Sequence, residues 1–109
     1  MRVVVDGSKE IATLIFSCEE RLATKQVMYV ARMRGVIKPK LYHRFTTTCE
    51  DAERRDTEIV LQFPFRSLPI AIDIVAVIAS LTQKEGGDTR TADAAIRMLD
   101  RYRNKKMAH

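Results

Sequence analysis

The sequence predicts an α+β fold: an antiparallel sheet of two hairpins with helices packed on one face, in the order ββαββαα. Three observations lead there. Short β-branched runs alternate near the N-terminus and again in the middle of the chain. Long apolar segments follow that keep a helical period and end at glycine. At 109 residues, with 46% hydrophobic and 30% charged content, the chain is expected to be a single compact domain over 1–109. Trp is absent, so aliphatic side chains must fill the core.

Val3-Val4-Val5 before Asp6-Gly7 reads as a strand running into a tight two-residue turn. Glu10 to Cys18 then alternates, with Ile11, Thr13 and Ile15 on one face and Ala12, Leu14 and Phe16 on the other. Both faces are apolar, which suits a central strand. A helix capped by Ser8 competes for the same residues, because Ile11, Leu14, Ile15, Cys18 and Leu22 also fit a 3.6-residue period. The β-branched content favours the hairpin.

Glu19 to Arg34 reads as a helix, with glutamates in its first turn and arginines in its last. Its apolar stripe is Ala23, Val27, Val30 and Ala31, with Leu22 and Met33 at the margins, and Gly35 stops it. Val36 to Lys40 is a linker pinned by Pro39. Leu41–Cys49 and Thr57–Phe65 alternate and are rich in Thr, Phe and Tyr or Ile and Val, so they form the second hairpin, with the acidic segment Glu50 to Asp56 as its tip. Pro64 marks a strand that is ending or lies at an edge.

Ser67 and Pro69 open a core helix that runs to about Glu85 and stops at Gly86-Gly87. Asp73 interrupts its apolar run and is placed on the solvent side. A last helix fits Thr91 to Lys105, with Ala92, Ala95, Ile96, Leu99 and Arg103 on one face and Tyr102 at the margin; its basic end, 101–109, is expected to fray and His109 to be disordered. A helix as apolar as Leu68–Leu81 is hard to cover within so small a domain, which suggests a two-fold homodimer. The same stretch is shorter than the roughly 20 residues needed to span a bilayer. The N-terminal apolar run is too short for an export signal. A cytoplasmic protein without membrane contact is expected.

Charge is the strongest functional signal. From Arg21 to Cys49 there are seven Lys or Arg and no Asp or Glu, and the next nine residues hold five carboxylates. The net charge is +5. Such segregation makes a local field that attracts a polyanion. Arg32, Arg34, Lys38, Lys40 and Arg44 are the candidate phosphate contacts, interleaved with Tyr42, His43 and Phe45. Arg97 and Arg101 in the C-terminal helix are secondary contacts. Helix, Gly-Gly turn and helix from Ile70 to Arg103, with Thr89-Arg90-Thr91 opening the second helix, also admits a helix-turn-helix reading.

Enzyme motifs are absent: there is no P-loop, GxGxxG, HExxH or GxSxG. Cys18 and Cys49 have no metal-ligand spacing and read as buried thiols. A small hydrolase can be imagined around His43 with Glu50 and Asp51, with Cys49 close in sequence. Asp51, Glu53 and Asp56 could bind a divalent cation, but Arg54 and Arg55 would compete with it. No cofactor is expected. The leading expectation is a small, dimeric, non-enzymatic nucleic-acid-binding regulator or accessory factor. The alternative is a protein–protein inhibitor or adaptor that docks on an oppositely charged surface.

Overall fold

The computed structural model describes residues 1–107 in backbone and the side chains through Arg103. The described residues form β1 (Arg2–Asp6), β2 (Ile11–Phe16), α1 (Arg21–Met33), α2 (Pro39–Arg55), β3 (Ile59–Pro64), α3 (Leu68–Lys84) and α4 (Arg90–Met107). The order is therefore ββααβαα, not ββαββαα. There is one three-stranded antiparallel sheet, β1-β2-β3, and one hairpin within it. The second expected hairpin does not exist, because Leu41–Cys49 is helical.

β2 is the central strand. Its alternation is fully expressed: Ala12, Leu14 and Phe16 are buried while Ile11, Thr13 and Ile15 are only half-buried. Register places Ala12 opposite Phe63, Leu14 opposite Leu61 and Phe16 opposite Ile59, so the inner face of β3 is buried with them. The outer face keeps Val4 and Val60 exposed. β3 is an edge strand and ends at Pro64, where a missing N–H does least harm.

The β1–β2 turn spans four residues, because Asp6 pairs with Ile11. The Asp6 carboxylate accepts from the Ser8 N–H and hydroxyl and from the Lys9 N–H. These bonds, that of the Ser8 hydroxyl foremost, hold its pKa below the ordinary 3.8. Glu10, not Gly7, takes the left-handed conformation. A side-chain acceptor thus builds a wider turn than the Asp-Gly pair implies.

α1 begins after a 3-10 turn at Cys18–Glu20. Glu20 reaches back to accept from the Ser17 N–H at 2.9 Å and from the N-terminal ammonium at 2.7 Å, half of a capping box. Its core stripe is Thr24, Val27, Met28 and Ala31, rotated from the expected one: Ala23, Leu22 and Met33 are exposed and Val30 is half-buried. The helix closes with Val36 N–H bonded to Ala31 O and Gly35 N–H to Arg32 O, the Schellman pattern, with Gly35 at φ 75°.

The expected linker therefore ends at Lys38, and Pro39 is the first residue of α2, where its fixed φ suits a helix and its missing N–H costs nothing. Phe45, Cys49 and Ala52 are buried at helical spacing, with Leu41 half-buried one turn earlier. Phe45 meets Phe63 of β3 edge-on, centroids 5.8 Å apart. Thr46, Thr47 and Thr48 turn their hydroxyls back onto the carbonyls of Tyr42, His43 and Arg44, so a strand-forming triplet is accommodated within a helix. The acidic run at 50–56 is not a hairpin tip. It is the last part of α2, closed by Asp56 in the left-handed conformation, with Thr57 N–H bonded to Ala52 O.

α3 buries Leu68, Ala71, Ile72, Ile74, Val75 and Val77 and leaves Asp73 exposed, as expected. Counting the 3-10 turn before it, Phe65–Lys84 is 20 residues of mean hydropathy 1.7, long and apolar enough to cross a bilayer by length and composition; the shorter length read from sequence is corrected here. In this fold the helix is flanked by α1 and α4. Among the described residues the large exposed apolar side chains are Val4, Leu22, Tyr29, Met33 and Val60, none of them on α3, so the reason given for a dimer does not hold in that form. α4 buries Ala92, Ala95 and Leu99 and continues to Met107. His109 and the side chains of Lys105 and Lys106 lie outside the described residues.

Two predictions follow from these elements. Thr47→Ala should stabilise the protein by about 0.5 kcal/mol, because Thr is the poorer helix former at an exposed position; urea unfolding that shows a loss instead would indicate an extended segment. Burial works to raise the Glu20 carboxyl, but the N-terminal ammonium and the Ser17 N–H outweigh it and hold it below its ordinary 4.5. A depressed carboxylate stabilises the fold above its unfolded pKa, and that share is lost as pH falls through the folded value. Glu20→Gln should therefore lower the urea midpoint at neutral pH, and the two midpoints should converge below the Glu20 pKa.

Candidate polyanion-binding turn

α1 and α2 form a helical hairpin whose two ends differ in charge. At the end where α1 starts and α2 finishes, cations are neutralised across the pair. Arg21 Nη2 lies 2.5 Å from Asp56 Oδ1 and Lys25 Nζ 2.8 Å from Glu53 Oε2. Lys25 draws the Glu53 carboxyl below its ordinary 4.5 and is itself raised. Arg54 pairs with Asp51 within α2. Two of the seven cations in the acid-free run are thus accounted for within the fold.

The other five gather around the turn. Arg32 is in the last turn of α1, Arg34 caps it, Lys38 is the residue before α2, and Lys40 and Arg44 lie in the first turns of α2. All five are exposed. Among the described residues none has a carboxylate oxygen within 4.0 Å. The Arg32 guanidinium carbon sits 4.8 Å from the centroid of the Tyr42 ring, a cation–π contact that ties the end of α1 to the start of α2. The first turn of α2 adds backbone N–H groups without intrahelical partners and the positive end of the helix dipole.

The aromatic interleaving does not survive. Phe45 is buried and Tyr42 is half-buried beneath Arg32, so neither offers a free face for base stacking. His43 is exposed on α2. Cys49 is buried, and burial raises its thiol pKa. Six apart on a helix rather than a strand, the two point in different directions. No group of three metal-ligating side chains occurs among the described residues, Asp51, Glu53 and Asp56 included.

Arg97 and Arg101 are exposed one turn apart on α4. α4 packs along α3, and α3 in turn packs against α1, so the two cations belong to a different helical hairpin from the α1–α2 turn. Arg90 is held by Asp88 at 2.7 Å, and Thr89 bonds to Asp93. Two of the three polar residues expected to open a recognition helix, Thr89 and Arg90, are thus held by local contacts at the start of α4. α3 and α4 lie side by side across a glycine turn, with Gly87 N–H bonded to Thr82 O, as any tightly joined helical pair does.

Sequence reasoning missed the ion pairs that remove Arg21 and Lys25 from the site. The available signal was the spacing Leu41, Phe45, Cys49 and Ala52 after Pro39, which makes α2 a helix and brings its acidic end back to the start of α1. Comparison of the chain with protein-family models, curated proteins and solved structures gives no match.

Proposed function

We propose that the protein is a small non-enzymatic nucleic-acid-binding accessory factor that grips the phosphate backbone with the α1–α2 turn. The observation that carries this reading is the uncompensated charge of Arg32, Arg34, Lys38, Lys40 and Arg44 around the exposed α1–α2 turn, whereas Arg21 and Lys25 at the other end of the hairpin are neutralised by the fold. Exposed cations around a turn neutralise phosphates and release counterions. With Tyr42 and Phe45 engaged in the fold, base edges and base faces have no evident reader there, so the expected mode is backbone contact without sequence preference. Arg97 and Arg101 form a separate basic surface under this reading, not part of the turn.

A second reading keeps the same turn and changes the partner to an acidic protein surface, as an inhibitor or adaptor would use. The same feature favours it: the turn lacks a free aromatic platform. The discriminating experiment is fluorescence anisotropy with labelled single- and double-stranded oligonucleotides across a salt series. Arg34→Ala/Lys38→Ala/Lys40→Ala should weaken binding and reduce the slope of log K against log[salt] by roughly 2 to 3. Arg97→Ala/Arg101→Ala should leave both nearly unchanged. Absence of binding at low salt, or equal binding by the triple variant, would remove nucleic acid from this turn, and capture of a protein partner that resists nuclease would then favour docking.

A further inference from the structure

One of the five uncompensated cations belongs to a second feature. Arg44 lines a cleft of about 230 Å³ between α2 and β3, together with Phe45, Thr48, Val60, Leu61 and Gln62. Phe45 and Leu61 are buried and close its inner side. Val60, Leu61 and Gln62 are consecutive, and successive side chains of a strand point to opposite faces. Three neighbours line one cleft only from the strand's edge, where the main chain itself is presented. β3 pairs with β2 on its other side alone. In an antiparallel ladder, residues alternate between bonding to the partner strand and turning their N–H and C=O away from it. At least one of the three therefore offers a main-chain donor and acceptor to the cleft. Gln62 adds an exposed amide with no hydrogen-bond partner among the described residues. The Thr48 hydroxyl donates to Arg44 O at 3.1 Å, which leaves its oxygen as an acceptor.

A phosphate offers acceptors only, and the cations of the turn suffice for it. The cleft offers donors and acceptors beside the planar, exposed guanidinium of Arg44. That combination suits a nucleobase, which carries donors and acceptors on its edge and a π face for stacking. The volume is below the roughly 300–1,000 Å³ of sites for drug-sized ligands, so the occupant is a single ring system. We infer that the cleft is a base pocket for a single strand whose phosphates lie on the α1–α2 turn. The base stacks on the Arg44 guanidinium, and its edge bonds to the Gln62 amide and to the free main-chain groups of β3. The amide presents a donor and an acceptor, so the pocket admits a base without selecting one. The inference rests on the nucleic-acid reading of the turn and narrows it to unpaired strands, because a base in a duplex has to be unstacked and unpaired before it can enter.

The test compares the affinities of labelled oligothymidylate and of an abasic strand of the same length and charge, read by fluorescence anisotropy. The wild type should prefer the strand with bases by roughly tenfold, the scale of one stacked base. Gln62→Ala should cut that preference severalfold. So should Arg44→Lys, which keeps the charge and loses the plane, and its salt slope should match the wild type's. A preference is a ratio of two affinities, so partial loss of fold would lower both and leave it in place. Equal binding of the two strands would overturn the inference and leave the phosphate reading of the turn standing, as would a duplex bound as tightly as oligothymidylate. Failure of both strands to bind would overturn the inference and that reading together. Polyglutamate bound as tightly as oligothymidylate would overturn it in favour of an acidic protein.

Discussion

A three-stranded sheet with one apolar face has to be covered along its whole width. Ala12, Leu14 and Phe16 on β2 and Ile59, Leu61 and Phe63 on β3 form a continuous surface, and each side chain buried there contributes about 1.5 to 3 kcal/mol in the larger cases. Water must be excluded from all of it at once. α3 supplies the most apolar cover, and α2 reaches β3 through Phe45 against Phe63. α4 lies at the other side, where Tyr102 meets Phe65 with ring centroids 5.7 Å apart. The placement of the helices, and hence of the basic turn, follows from that requirement.

Much of this arrangement was legible in the residues. The pairing of β1 with β2, the division of β2 into two faces, the edge position of Pro64, the core helix and its Gly-Gly stop are local signals and are expressed as read, although the β1–β2 turn is wider than Asp6-Gly7 implied. α2 was not legible in the same way. Tyr42, Phe45 and Thr46-Thr47-Thr48 have strand preferences, and over nine residues alternation and helical spacing overlap. What decides the matter is longer in range: Pro39 at the start, burial at 45, 49 and 52, and an αL closure at Asp56. Read as a strand, the segment projected its charged end into a hairpin tip. As a helix, it folds that end back on α1.

The candidate site shows the same division. That Arg32, Arg34, Lys38, Lys40 and Arg44 would be exposed was readable, since long basic side chains keep their charge in water. That Arg21 and Lys25 would be neutralised was not, because their partners Asp56 and Glu53 are close only across the helical hairpin. The fold therefore turns a run of seven cations, diffuse in sequence, into a pole of five. Such a pole persists because its members are on the surface, where like-charge repulsion is screened within about 8 Å at physiological salt.

The connection between β2 and β3 has a kinetic meaning. The strands are adjacent in the sheet, yet the whole α1–α2 hairpin lies between Phe16 and Ile59 in sequence. Closing that span as a flexible loop carries an entropic cost that local contacts do not, and non-local pairings of this sort slow folding. A preformed helical hairpin shortens the effective span, because its outer ends, tied by Arg21–Asp56 and Lys25–Glu53, already lie together. The cross-helix ion pairs, modest in equilibrium terms, thus stand where they act as a clasp: in the folded chain they join the start of α1 to the end of α2, and so the two points from which β2 and β3 depart.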